Sequence, residues 1–394
     1  MKLTLKNLNR ESTLLDRLRA EGIPVPAPCS GSGKCGKCLV NVNGEDVLAC
    51  RTRLEGDAEI TIPDRDARIK GVFDLAVDLG TTNVVFALYD TETGERHAVI
   101  SRPNAQCAYG ADVISRIHAC REGHLGELSR IARSQVDSVC DYRRLSVSGN
   151  TVMEHIYAGI DPSPIGVPPF EPPERFRDDP VLLPCVSGYV GADTVSGLTV
   201  CGAGDYDGLV LYIDFGTNGE TALGNRSGFL TCSCAAGPAF ESAGNLYGSE
   251  IVDETARLLK AGLLGRSGRI KGDSLLSQES VHCVQLAKAA IRAGTEILLN
   301  RAGKTYSDIS ALIIAGEFGN YINVENAMAI GLIPPLEQSL VVKAGNTSLE
   351  GAALALSSEG RNRIRALCGR CSYIELSSEP DFTNEFRKYI NFDL

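Results

Sequence analysis

Cys29, Cys35, Cys38 and Cys50 stand in the spacing C-x5-C-x2-C-x11-C. Four thiolates gathered this way suit iron or zinc. Gly31, Gly33 and Gly36 lie among them. Such a loop can wrap closely and aim backbone N–H groups at sulfur. The fourth thiolate is returned by a hairpin, because Leu39–Val42 and Asp46–Cys50 flank an Asn43-Gly44 turn. A structural zinc ion also takes four cysteines. The Gly-rich loop and the short last gap favour a [2Fe–2S] cluster instead. Gly31 to Lys37 also matches G-x-x-x-x-G-K. That reading as a phosphate loop fails, because Cys38 stands where Ser or Thr must bind Mg²⁺ and no buried strand leads in.

The elements that must position these thiolates are short. Lys2 to Leu5 alternate as an amphipathic strand does. Ser12 is expected to cap a helix through Leu14, Leu15 and Leu18, ending near Gly22. Ile23 to Pro28 reads as extended, and Ala58 to Ile62 adds one more strand. Strands crossed by one helix make a β-grasp. The segment resembles the cluster-binding stretch of plant-type ferredoxin domains and of the succinate dehydrogenase iron–sulfur subunit. Its first gap is one residue longer than the common plant spacing.

From Val72 the pattern changes to α/β and contains a duplication. Leu75-Ala-Val-Asp78-Leu-Gly80-Thr81-Thr82 precedes Val84–Tyr89. Leu211-Tyr-Ile-Asp214-Phe-Gly216-Thr217-Asn218-Gly219 precedes Glu220–Leu223. Asp, Gly and Thr recur at a constant offset. Each copy reads as a buried strand, a tight turn and a second strand, so two similar lobes should face one cleft. A glycine turn with a Thr hydroxyl suits phosphate oxygens. An Asp at the end of each strand suits hydrated Mg²⁺. A third element joins the buried strand Ala311–Ala315 to Gly316-Glu317-Phe318-Gly319-Asn320, with a helix expected from near Asn323 through Ile330. Glycines there would let an adenosine ring lie close to the backbone.

These elements resemble the phosphate-1, phosphate-2 and adenosine motifs of the acetate/sugar kinase, Hsp70 and actin (ASKHA) superfamily. Within it, Asn104-Ala-Gln106, Gly110-Ala-Asp-Val-Ile-Ser-Arg-Ile117, Ser148-Gly-Asn-Thr151, Gly191-Ala-Asp193, Ala235–Phe240 and Gly345–Ala352 resemble one group. That group is the reductive activators of corrinoid-dependent enzymes, ferredoxin–ATPase fusions that reduce cob(II)alamin to cob(I)alamin on a partner. The resemblance implies an α+β β-grasp [2Fe–2S] ferredoxin-like domain at 1–63 and a linker at 64–71. A two-lobed, duplicated ribonuclease H-like ASKHA ATPase domain follows, at 72–205 and 206–394. It implies Mg²⁺–ATP bound through Gly80, Thr81, Thr82, Asn150, Thr151, Gly216, Thr217, Asn218, Gly219, Gly316, Glu317 and Gly319, with Asp78, Asp193 and Asp214 in catalysis. Larger members carry a linker and a middle domain between ferredoxin and ATPase. Here only Pro63 to Gly71 separates them.

Asp193 either holds the attacking water or caps a helix starting at Thr194. Glu220 and Glu317 either line the cleft or are solvated. Cys234-Ala-Ala-Gly is similar to a cluster-ligand motif of acyl-CoA dehydratase activators, but the segment carrying their second ligand is missing. Cys368-Gly-Arg-Cys371 reads as two ordinary thiols, with a redox pair or metal half-site as the alternative. No Asp-x-His-x-x-Gly is present, so a corrinoid must belong to a partner protein, and an upstream reductant must supply electrons. The net charge of −10 and the lack of a Lys/Arg stripe disfavour nucleic acid. No apolar run suits a membrane helix, and the Met1 end has no signal-peptide pattern. Fourteen cysteines then read as reduced thiols of a cytoplasmic protein. The rival functions are a small-molecule ASKHA kinase with a redox-sensing ferredoxin domain, and an electron-transfer module with a degenerate ATPase lobe.

Anaerobically prepared protein should be brown, with iron and acid-labile sulfide each about two per chain. Stoichiometric zinc without iron overturns the cluster reading.

Overall fold

The computed structural model describes every residue except 1, 24, 26–32, 34–37, 63–67, 178–181, 217, 238, 241–242, 244–245, 247 and 393–394, and the side chain of Glu317. The N-terminal part holds strands β1 (Lys2–Leu8), β2 (Leu39–Val42), β3 (Glu45–Leu48) and β4 (Gly56–Thr61), and helix α1 (Leu14–Ala20). Their sheet runs β1-β4-β2-β3. Thr13, not Ser12, caps α1. Its hydroxyl accepts from the backbone N–H of Asp16, and the Asp16 carboxylate accepts from that of Thr13. Only Thr13 stands three residues before an acid, which a reciprocal capping box needs. Leu14, Leu15 and Leu18 pack with Val40, Ala49 and Ile60 in a core of their own. The Asn43-Gly44 turn forms as expected, with φ of 50° and 99°.

The first lobe has strands β5 (Val72–Leu79), β6 (Asn83–Asp90), β7 (Arg96–Pro103) and β8 (Asp141–Gly149), in the order β7-β6-β5-β8. Helices α2 (Val113–Ala119) and α3 (Leu125–Asp137) connect β7 to β8, and α4 (Thr151–Ala158) follows β8. Helix α5 (Ala192–Val200) leads to the second lobe. There, β9 (Leu209–Phe215), β10 (Gly219–Asn225), β11 (Gly228–Cys234), β12 (Ile309–Ala315), β13 (Val341–Gly345) and β14 (Cys371–Tyr373) form a sheet ordered β13-β12-β9-β10-β11-β14. Its helices are α6 (Ser249–Lys260), α7 (Gln278–Ala302), α8 (Glu317–Tyr321), α9 (Val324–Ala329), α10 (Thr347–Leu354), α11 (Ser358–Cys368) and α12 (Phe382–Ile390). Among the described residues, no helix is long and apolar enough to cross a membrane.

The duplication is exact in topology. β5 pairs antiparallel with β6 and parallel with β8, as β9 does with β10 and β12. Asp78 registers with Val85 and Ser148, and Asp214 with Glu220 and Ala315. Both aspartates therefore stand at the same corner of equivalent sheets. Helix α9 begins after Asn323, whose side chain caps it, and ends before Ile330, as the sequence suggested.

Helices α5 and α10 cross between the lobes, and glycines let them touch. A Cβ on Gly351 would lie 2.1 Å from Ser196 Cβ. A Cβ on Gly197 would lie 2.2 Å from the Tyr212 hydroxyl and 2.6 Å from Thr347 Oγ1. Gly to Ala inside an exposed helix gains about 1 kcal/mol. At Gly351 the sign should reverse. We expect G351A to lose about 1–3 kcal/mol in denaturant unfolding, because the added methyl overpacks the crossing.

Candidate functional site

Cys38 and Cys50 bring their sulfurs within 3.2 Å. Two ligands of one tetrahedral metal lie within about 4 Å of each other, so the pair suits one metal atom. Both side chains are buried and unoxidised. The backbone enforces the approach: Ala49 N–H donates to Cys38 O at 2.9 Å, and Leu15 N–H to Ala49 O at 3.0 Å. Helix α1 thus straps the returning cysteine to the loop. Gly33 has φ +75°, and a Cβ there would lie 2.3 Å from Arg51 Nε. The positive φ favours glycine here, while the flexible Arg51 side chain can move aside for a Cβ. Cys29 and Cys35 lie outside the described residues. The described thiols fit a cluster, and their backbone clamp needs no metal to be read.

The second site lies at the Asp78–Asp214 corner. Asn346 Nδ2 donates to one Asp78 oxygen at 2.7 Å, and Ser348 Oγ to the other at 2.8 Å. Ser348 also meets Ser148, which meets Ser196. Asp214 is touched by the Tyr212 hydroxyl at 3.3 Å, itself 2.9 Å from Thr347. The first turn of α10 therefore faces both aspartates. Burial, and then the carboxylates of Asp193 and Asp78, push Asp214 up to about 7. Burial also pushes Asp193 up to about 6, with Asp78 adding to it. Glu220 and Glu154 are buried too. Both are raised well above the usual range by desolvation first and Asp193 next. These carboxyl groups act on one another through their charges. Among the described residues no three such side chains stand close enough to hold a metal ion directly, so an ion here would be held through its water shell.

Of the carboxylates expected here, Asp78, Asp193 and Asp214 act on one another through their charges. Helix α5 starts at Ala192 with Gly191 before it, so Asp193 does not cap a helix starting at Thr194. Its carboxylate instead accepts the Thr194 N–H at 2.7 Å within the first turn. A Cβ on Gly191 would lie 2.7 Å from Thr151 N. That contact sets Asp193 beside Glu154. Glu220 is buried, with Ser233 donating to it at 3.2 Å, so it is not solvated. Glu154, whose Oε1 has no protein partner, was not foreseen.

Asn150 Nδ2 donates to Thr81 Oγ1 at 3.1 Å, and Asn104 Nδ2 to Gly80 O at 2.8 Å. Thr82 is exposed on the same turn. Thr151 is buried and donates to Ser187 O at 2.7 Å, so it braces the β8–α4 turn. Gly216 is exposed and Asn218 partly so, with Gly216 N–H bonded to Asn218 O at 3.0 Å. Gly219 packs on Ile291, and Gly319 on Ile314. Gly316, at φ +86°, comes so close that a Cβ would lie 2.8 Å from Asp214 Oδ1. The adenosine-type turn is thus seated on the second phosphate-type turn. Phe318 stacks on Phe240 at 5.1 Å behind it. Thr217 and the Glu317 side chain lie outside the described residues. Cys234 is buried with Cys232 against Gly294. Cys368 and Cys371 share a cavity of about 270 Å³ with Cys185, and burial raises all three thiols, to about 11 for Cys368 and about 12 for the others.

Three family profiles match in sequence. Residues 2–61 match the 2Fe-2S iron-sulfur cluster binding domain, 73–205 the RACo middle region, and 208–256 with 260–393 the C-terminal domain of RACo, the ASKHA domain. The chain belongs to the RACo-type ferredoxin–ASKHA family. It is 27% identical to the corrinoid activation enzyme RamQ of Eubacterium limosum, covering 96% of each chain. It is 24% identical over 236 residues to the [Co(II) methylated amine-specific corrinoid protein] reductase of Methanosarcina barkeri, 43% of each. The solved structure of a reductive activator for corrinoid, iron-sulfur protein superposes with a TM-score of 0.74 at 24% identity, over 98% of this chain and 96% of that one. That likeness fixes the fold. One expectation needs correction. The RACo middle region is matched here, at 73–205, so a shorter chain does not mean that this region is missing. The RamQ alignment runs over 574 residues, more than the 394 of this RACo-type chain, so the relative carries segments without a counterpart here.

The crowded carboxyl groups predict a pH signature. An unfolded Asp releases its proton near pH 4, about where a free carboxyl does, whereas Asp193 and Asp214 hold theirs to about 6 and about 7. In that window folding takes up protons, so the apo protein should lose stability as pH rises from about 4 to about 7, with Glu154 and Glu220, also raised, extending the loss to higher pH. Melting temperatures across pH should show this slope, flattened in D214N. Added Mg²⁺ should raise the melting temperature more at pH 8 than at pH 5.5.

Proposed function

We propose that this protein reduces a corrinoid held by a partner protein, from cob(II)alamin to cob(I)alamin, and that binding and hydrolysis of Mg²⁺–ATP drive the step. One observation carries the reading. A single chain pairs a thiolate site suited to [2Fe–2S] with a cleft where two duplicated turns and α10 converge on Asp78, Asp193 and Asp214. The names of RamQ and of the methylated-amine corrinoid protein reductase point the same way.

The cluster, when bound, supplies electrons one at a time at low potential. This chain's residues do the rest. Cys29, Cys35, Cys38 and Cys50 hold the cluster. Asp78 and Asp214 hold hydrated Mg²⁺, and the Gly80–Thr82 and Gly216–Gly219 turns hold phosphate oxygens. Asp193 orients the attacking water and accepts its proton, and Gly316 and Gly319 let the adenosine lie on the backbone. ATP can change the affinity for a corrinoid partner only by its differential affinity for two arrangements of the lobes. Helix α10 can report that difference, because one end holds Asp78 and Glu350 farther along it pairs with Arg96 at 2.5 Å. The corrinoid partner should dock where both domains are within reach. Arg19 of α1 lies 4.0 Å from Glu250 of α6. Ile69, just after the tether, is bonded to Val139 of the first lobe at 2.8 Å.

The test is anaerobic and follows loss of the cob(II)alamin absorption on a corrinoid protein. Reduction should require both ATP and a one-electron donor, and the corrinoid protein should raise the ATPase rate. C35S should abolish reduction while retaining nucleotide binding. D78A and D214A should lower ATP turnover by at least about tenfold, with the cluster spectrum unchanged. Reduction that is equally fast without ATP removes the activator reading. A phosphorylated small molecule as product establishes the kinase reading instead.

A further inference from the structure

We propose that Arg116 is the positioning residue of the first phosphate turn, fixing its carbonyls and setting behind them a buried positive charge that strengthens binding of the ATP polyphosphate. This role rests on the nucleotide reading of the cleft. Arg116 is wholly buried. Its guanidinium donates to Thr81 O at 2.6 Å, Gly110 O at 3.2 Å and Gln106 Oε1 at 3.3 Å, and it lies 2.9 Å from Met153 Sδ. None of these acceptors is an anion. Asp112, on the same helix, acts on it only at a distance, and its carboxylate is engaged by Ser115. A guanidinium taken out of water without an anion in contact is costly. Burial lowers its pKa to about 10, which still leaves it charged at neutral pH. A polyphosphate on the far side of the turn would supply the missing anion.

The geometry of the turn makes this specific. Asn104 Nδ2 donates to Gly80 O at 2.8 Å, and Asn104 N–H to Thr82 O at 2.9 Å. With Arg116 on Thr81 O, three successive carbonyls face the 104–116 segment. A trans peptide points its N–H opposite to its C=O. The N–H groups of Thr81, Thr82 and Asn83 are therefore turned away from that segment. Successive N–H groups presented together bind anions. Arg116 completes the device from behind, through dry protein where its field is weakly screened. Gly110 makes the reach possible. It has φ +147°, and a Cβ there would lie 2.2 Å from Ser115 Oγ. The Asn104-Ala-Gln106 and Gly110–Ile117 motifs thereby gain a joint role as a buckle under the turn.

The readout is the contrast between Mg²⁺–ATP and adenosine, which shares the base and ribose but carries no phosphate. Affinities of both would be measured on full-length, cluster-loaded protein and on R116K, R116M and Q106E. R116M should bind Mg²⁺–ATP about tenfold more weakly or worse, with adenosine within about twofold. R116K, which keeps the charge, should recover much of the loss. Q106E keeps the arginine but sets a carboxylate against it. It should also weaken ATP selectively, and it carries the test if R116M does not fold. Unchanged ATP affinity in both R116M and Q106E, or equal weakening of ATP and adenosine, overturns the role. Failure of the unsubstituted protein to bind Mg²⁺–ATP instead brings down the nucleotide reading, and this role with it.

Discussion

Asp78 is where the two lobes are held to one another. Its two oxygens accept from Asn346 and Ser348, residues 268 and 270 positions away in sequence. Hydrogen bonds to a charged acceptor contribute about 1.5–3 kcal/mol each. They matter more here than the figure suggests, because the duplicated hairpins aim Asp78 and Asp214 at each other and α5 adds Asp193. Donors from α10 meet Asp78, beside Tyr212 on Asp214 and the Thr194 N–H on Asp193. Asn346 uses both ends of its amide. Its oxygen caps α10 by accepting the Leu349 N–H at 2.9 Å, while its nitrogen holds Asp78. Helix start and lobe closure are one event.

That link ties packing to chemistry. α10 lies on α5 where Gly351 faces the small Ser196 side chain and Gly197 faces Thr347 and the Tyr212 hydroxyl. A displacement at Asp78 cannot be absorbed by a flexible layer, because close-packed contacts transmit strain. The Ser148–Ser196–Ser348 hydroxyls extend the link to β8. On the outer side, the Arg96–Glu350 pair joins α10 to β7, the edge strand of the first lobe. An exposed ion pair adds little to stability. It does place Glu350, in the first turn of α10, at the surface, where another protein can feel it.

The sequence revealed what is local and periodic. Asp78 and Asp214 stood out because Asp-x-Gly-Thr repeats; the strand pairing recurs, but the hairpin register differs by one residue, Asp78 facing Val85 and Asp214 facing Glu220. Asn43-Gly44 was readable because a two-residue hairpin needs positive φ. The cap of α1 slipped by one residue, since both Ser12 and Thr13 can cap and only the position of Asp16 decides. Asn346, Ser348 and Glu154 had no assigned role. The first two belong to a motif noticed for its resemblance, but their partner Asp78 lies in the other lobe, and no spacing rule spans that distance. Glu154 sits among apolar residues of a short helix and reads as an ordinary exposed acid until Gly191 seats α5 against it.

The two chemical centres are built on opposite electrostatic plans. At the cleft, several carboxyl groups act on one another and are only partly met by hydrogen-bond donors, so stability there depends on protons or on a cation and phosphates brought from outside. At the cysteine pair, Cys38 and Cys50 lie in an apolar core distinct from the cores of the lobes. No hydrogen-bonded strand or shared core joins that domain to the cleft among the described residues. Side chains do meet across that boundary, as Arg19 of α1 does with Glu250 of α6 at 4.0 Å. A nucleotide bound between the lobes can act on their position, through Asp78 and α10, and so on whatever surface they present beside the ferredoxin domain. A third body touching both the lobes and the ferredoxin domain would couple the two centres over a larger area, which is a physical reason for expecting a macromolecular substrate.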